Sequence, residues 1–179
     1  MFHLRNAPVL YYTVYIQRKE AVHRMTDYGM LVQQLRALAQ QESFYLPLLS
    51  NASALLYETL DRINWAGFYV MRDGRLILGP FQGKTACITI ALGKGVCGTA
   101  AVTDQIQRVA DVHAFPGHIA CDSASASEIV IPLHHRGTVI GVLDIDSPVK
   151  DRFTAEDEQG LKEYAAELEK YLVPAWENE

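Results

Sequence analysis

The chain has 179 residues, of which 49% are hydrophobic and 21% charged, the make-up of one ordinary folded domain that can bury a core without disulfide or metal staples. A formal net charge of -5, with no dense Lys/Arg run, argues against nucleic acid as the main partner. Three cysteines are too few, and odd in number, for a secreted disulfide scaffold, so a reducing, cytoplasmic setting is expected.

Residues 9–16 (VLYYTVYI) are apolar and aromatic but too short to span a bilayer. The run Gln17-Arg18-Lys19-Glu20 follows with no small-residue cleavage site, which argues against a signal peptide. Residues 1–24 therefore read as an extension, and residues 25–179 as the domain. Thr26 is the expected cap of a helix to about residue 41, with Met30, Leu31, Leu35, Leu38 and Ala39 on one stripe. A second helix is expected from about Pro47, carrying Leu48, Leu49, Ala52, Leu55, Leu56 and Leu60.

The period then changes from helical to strand-like. Residues 64–71 and 75–81 flank Asp73-Gly74, a strong two-residue hairpin signal. Residues 87–90 read as a short strand opened by Cys87, and residues 93–98 as a glycine-rich turn leading into a short helix at about Thr99. Another short strand is expected at 106–109, followed by a long loop over 111–127 with Pro116 and Gly117; long structured loops in compact domains are often functional. Residues 128–134 and 138–145 form a second predicted hairpin across Arg136-Gly137. The last helix is expected to begin at Thr154, with Asp157 in capping-box position, and to run to about Leu172. The sum is an α+β domain: an antiparallel sheet backed by N- and C-terminal helices, with pocket-forming loops on the other face.

Several motifs compete for a functional reading. Gly93-Lys94-Gly95-Val96-Cys97-Gly98 matches G-x-G-x-x-G. A dinucleotide fold needs a crossover helix between parallel strands. Too few residues separate Thr99 from Ile106, and both flanks read as hairpins, so the motif lacks its context. What survives is a helix N-terminus whose free N–H groups, beside Cys97, are expected to lower a thiol pKa or hold an anion. Cys87, Cys97, His113, His118 and Cys121 offer metal-ligating atoms. None forms a close ligand pair, and no metal is expected.

Cys121 precedes Asp122-Ser123-Ala124-Ser125, a polar stretch that makes a poor core and a good pocket rim, so it reads as a reactive thiol. Cys87 opens a strand and is equally consistent with burial. Asp144 and Asp146 alternate on one strand and share a face, either toward solvent or as a cation site that Glu128 on the neighbouring strand could join. Trp65 and Tyr69 also share a strand face, as core or as a pocket wall.

The segments NWAGFYV, LGPFQGK, GKGVCGTA, IACD, SEIVIPL and GVLDIDS, in this order, closely resemble the free methionine-(R)-sulfoxide reductase family, which is built on a single GAF domain. The resemblance covers about residues 25–172. It implies that Cys121 is the nucleophile toward free methionine sulfoxide, that Cys87 resolves the resulting sulfenic acid into a disulfide, and that Cys97 is an auxiliary thiol. It further implies that Glu128, Asp144 and Asp146 bind the substrate ammonium and that Trp65 and Tyr69 hold the methyl end. Backbone N–H groups around residues 119–122 are expected to meet the sulfoxide oxygen or the carboxylate. No bound cofactor is implied; the external reductant is thioredoxin, itself recycled with NADPH. The terminal helices offer faces for a homodimer. The competing class is a non-catalytic GAF module that senses a ligand.

Overall fold

The computed structural model describes residues 26–40, 44–117 and 123–172. Helix α1 spans Tyr28–Ala39 and α2 Tyr45–Thr59. Strands β1 (Trp65–Arg72), β2 (Arg75–Gly83) and β3 (Thr89–Ala91) follow, then helix α3 (Gly95–Thr103) and β4 (Gln107–Val109). A 3-10 turn at Val112–Ala114 precedes β5 (Ser127–His135), β6 (Thr138–Ser147) and helix α4 (Ala155–Glu169).

Both expected hairpins form. Asp73 and Gly74 have φ of 49° and 71°, and Arg136 and Gly137 have 49° and 77°. Two consecutive positive φ values define the turn whose twist matches that of the flanking strands. The hairpins lie side by side in a six-stranded sheet of order β3-β2-β1-β6-β5-β4, antiparallel throughout.

The sheet has two unlike faces. Ala66, Phe68, Ile129, Ile131, Leu143 and Ile145 point to one side and pack under α1, α2 and α4. The stripes that reach them are Tyr28, Leu31, Leu35 and Ala39 on α1, and Leu161, Tyr164, Ala165 and Leu168 on α4. Trp65, Tyr69, Val130 and Val142 point to the other side and meet Val96, Cys97, Ala100 and Ala101 of α3. Side chains alternate along a strand, so one set of strands serves both cores.

Four departures from the expected elements bear on the caps and the site. The cap of α1 is Asp27, whose carboxylate accepts from the Met30 N–H at 2.9 Å, and Met30 itself is exposed. Helix α2 begins at Tyr45, with Pro47 inside its first turn. Cys87 lies before β3 instead of opening it. Helix α3 begins at Gly95, so Cys97 is within the helix. Glycine at position 98 is what permits this: a Cβ there would lie 2.4 Å from the carbonyl oxygen of Ala91. The motif's last glycine thus serves the close approach of α3 to the end of β3.

Candidate active site

Register brings the acids together. Across β5 and β6, Glu128 lies opposite Asp146 and Val130 opposite Asp144. Across β1 and β6, Trp65 lies opposite Asp146, Gly67 opposite Asp144 and Tyr69 opposite Val142. Directly opposed residues share a face. Trp65, Tyr69, Glu128, Asp144 and Asp146 therefore all project toward the face that α3 covers. This is the grouping that their spacing suggested.

The aromatic wall is more extensive than expected. The Trp65 and Tyr69 rings stack at 6.0 Å, and Trp65 stacks on Phe81 at 5.2 Å with planes 14° apart. Phe81, from LGPFQGK, was not singled out in the sequence, although its strand lies in hairpin register with β1 and places it opposite Gly67. The wall is also tethered. Trp65 Nε1 donates to the Lys84 carbonyl at 3.1 Å, and the Tyr69 hydroxyl donates to the Cys87 carbonyl at 3.0 Å. Both bonds hold the segment that carries Cys87 against β1.

Glu128, Asp144 and Cys97 are buried, each 6% exposed or less. The Cys97 thiol donates to Glu128 Oε1 at 3.8 Å. Asp144 Oδ1 is buried without a hydrogen-bond partner among the described residues. Burial pushes the Glu128 carboxyl well above the ordinary range, and the charges of Asp144 and Asp146 push it further. Burial also raises Asp144, to about 6, against hydrogen bonds from Cys97 and Glu128 that lower it. Two carboxyls confined together away from water hold a proton more tightly than either would alone.

The expected effect of the helix N-terminus on Cys97 does not hold. Its thiol pKa is raised, by burial first and then by the charges of Asp144 and Glu128. Once α3 starts at Gly95, Cys97 points into the acid-lined interior, and desolvation beside two carboxyls outweighs the helix dipole. Cys97 is a free buried thiol, while Cys87 is disulfide-bonded and half-buried. Cys121 and His118 fall outside the described residues, as do the backbone groups of 119–122.

The described flank of the long loop is firmly anchored. Ala126 N–H donates to the Ser147 carbonyl at 2.7 Å and Val112 N–H to the Ala126 carbonyl at 3.0 Å. Asn64 Nδ2 donates to Ser125 Oγ at 3.1 Å. The C-terminal end of the loop is thereby fixed beside the end of β6, next to Asp146.

The GAF domain model matches residues 26–172. The free methionine-R-sulfoxide reductase of Escherichia coli strain K12 is 59% identical over 146 residues, 82% of this chain and 88% of that protein. Among solved structures, the fRMsr of Staphylococcus aureus in complex with substrate is 48% identical, with a TM-score of 0.81 over 86% of this chain and all of that one. The free methionine-R-sulfoxide reductase of Neisseria meningitidis in complex with its substrate is 41% identical, with a TM-score of 0.78 over 80% of this chain and 87% of that one. A match of the GAF model over residues 26–172, together with identity of this extent, shows that the chain belongs to the GAF-domain family of free methionine-R-sulfoxide reductases.

Proposed function

We propose that this chain reduces free L-methionine (R)-S-oxide to L-methionine, with thioredoxin as the reductant. The observation that carries the reading is the buried Glu128–Asp144 pair with one carboxylate oxygen left without a donor among the described residues, beside the Trp65–Tyr69 stack. A free α-ammonium supplies that missing donor and neutralises the pair. Asp146, half-buried on the same face, completes the anionic end. Trp65 and Tyr69 offer ring faces and edges to the S-methyl end, where sulfur–aromatic contact is favourable. Peptide-bound methionine sulfoxide has no free ammonium and would leave the buried carboxylates unpaired, which is a strong basis for rejection.

In the proposed reaction the thiolate of Cys121 attacks the sulfoxide sulfur. A sulfur–sulfur bond forms as the oxygen takes up a proton. The sulfur–oxygen bond breaks with its electron pair on the oxygen, and the released hydroxide attacks the Cys121 sulfur. The sulfur–sulfur bond then breaks with its pair on the methionine sulfur, leaving methionine and Cys121 as sulfenic acid. Glu128, the carboxyl held protonated most strongly by its surroundings, is the donor assigned to the oxygen. Cys87 then attacks the sulfenic sulfur, a disulfide forms, and the hydroxyl leaves as water with a proton. The state of the cysteines supports this pairing. Cys87 is disulfide-bonded while Cys97 is a free thiol, as a resolving role for Cys87 and an auxiliary one for Cys97 require. A thioredoxin dithiol restores both thiols by exchange, and the oxidised thioredoxin is recycled with NADPH. Cys97 is assigned an auxiliary role, as donor to Glu128.

A coupled assay with both epimers of free methionine sulfoxide and a peptide-bound form tests the reading. Turnover of the free R epimer alone is expected, with none in C121S. Turnover of the peptide-bound form at a comparable rate, or full activity in C121S, would overturn it. In C87S, a single methionine per enzyme is expected, followed by arrest.

A further inference from the structure

The same site holds a donor set whose sulfur member an ammonium does not explain. Cys97 Sγ, a carboxylate oxygen of Glu128 and one of Asp144 lie within 4.8 Å of one another, and they come from three separate elements, α3, β5 and β6. We propose that Cys97, Glu128 and Asp144 form a binding site for a thiophilic divalent cation of the zinc class. Such a site takes no part in the reduction reaction itself.

Three observations carry it. The first is geometric. Zinc takes thiolate sulfur at about 2.3 Å and carboxylate oxygen at about 2.1 Å, so neighbouring donors of a tetrahedral site lie about 3.5 Å apart. Cys97 Sγ and Glu128 Oε1 are already 3.8 Å apart. The second is the Asp144 oxygen, which is buried, belongs to a residue only 6% exposed, and has no hydrogen-bond partner among the described residues. A buried acceptor without a donor is costly and points to a ligand. The third is the sulfur itself. Ammonium pairs well with carboxylates and poorly with a thiol, whereas thiolate ligation selects borderline and soft metals over magnesium or calcium. Three protein ligands leave a fourth position for water or an added ligand, as in open zinc sites. The cation and a substrate ammonium both require Asp144, so each excludes the other, and zinc is a reversible inhibitor.

This donor set differs from the cysteine and histidine candidates that the sequence offered. Of those, only Cys97 belongs to it. Glu128 and Asp144 join it because strand register and helix packing bring them there.

The test uses the full chain oxidised until a single titratable thiol remains, so that any thiolate signal reports Cys97. Titration with cobalt(II) is expected to give a thiolate-to-cobalt charge-transfer band that saturates at one equivalent and is abolished by zinc. C97S is expected to lose the band. D144N, a second variant with the thiol intact, is expected to bind zinc at least tenfold more weakly by chelator competition. Circular dichroism of both variants verifies that the fold is kept. Absence of the band at millimolar cobalt in the unmodified chain overturns the proposal. So does a band that persists in C97S, or zinc affinity unchanged in D144N.

Discussion

A methyl group at position 67 would meet Cβ of Phe81 at 2.3 Å and the Trp65 ring at 2.7 Å. Gly67 therefore makes room for the aromatic wall, which explains a glycine in the middle of a strand where it otherwise weakens pairing. Because one of the clashing atoms lies next to the backbone of β2, Gly67→Ala cannot be absorbed by a flexible side-chain tip. Overpacking of this kind costs about 1–3 kcal/mol. G67A is expected to melt earlier and, as Trp65 is displaced, to show a raised KM; calorimetry and steady-state kinetics measure the two effects. Asp144 gives a complementary test. Asn keeps its shape and removes its charge, so D144N loses a charge-assisted contact to the substrate ammonium worth about 1.5–3 kcal/mol. That corresponds to a fall in kcat/KM of about 10- to 150-fold. An unchanged kcat/KM would remove Asp144 from the binding role.

At the scale of elements, helix α4 is held at its start by one carboxylate with several partners. Asp157 accepts from Thr154 N–H at 2.8 Å, from the Tyr28 hydroxyl at 2.6 Å and from Arg152 at 3.1 Å. Burial opposes its charge most, but the Thr154 and Tyr28 hydrogen bonds and Arg152 together hold the carboxyl below its usual range. Its folded pKa is depressed, so its stabilisation is full above the unfolded value of about 3.9 and is lost as pH falls through the folded value. Asp157→Asn leaves Arg152 with less compensation in a buried setting and is expected to cost about 3 kcal/mol at neutral pH. Denaturant melts should also show a shallower acid loss in D157N than in the unmodified chain; parallel acid profiles would contradict this. The capping box was readable because its parts are three residues apart and local. The start of α3 was not, because it depends on Gly98 meeting the Ala91 carbonyl across a turn. That difference put Cys97 inside the molecule and reversed the expected direction of its thiol pKa.

At the scale of the whole molecule, the sheet is a partition. One face carries the helical core of α1, α2 and α4; the other carries the aromatic and acidic cluster under α3. Alternation along β1 and β6 made both faces legible, and the shared face of Asp144 and Asp146 followed from it. The contact of Cys97 with Glu128 was not legible, since it joins a helix to a strand 31 positions away and no local pattern encodes that packing. The partition also bears on the first residues of the chain. The GAF match begins at residue 26, and the first described side chain that reaches the core is Tyr28, whose hydroxyl bonds Asp157. The Tyr28 ring lies where a Cβ on Gly160 would come within 2.1 Å, so α1 and α4 are fitted together at this point. Residues 1–24, assigned here to an extension, are expected to be dispensable. A chain starting at Met25 should keep kcat/KM within about twofold and its melting temperature within the shift of about 2–4 °C that 1 kcal/mol produces at this size. A chain starting at Met30 loses Tyr28, opens the space beside Gly160 and deprives Asp157 of a donor. A loss of about 3 kcal/mol or more is expected there, as for an emptied aromatic site, and a drop in melting temperature of about 6–12 °C. Equal melting temperatures for the two truncations would show that the Tyr28 contact does not anchor α1. A loss of activity in the chain starting at Met25 would give the extension a part in the reaction.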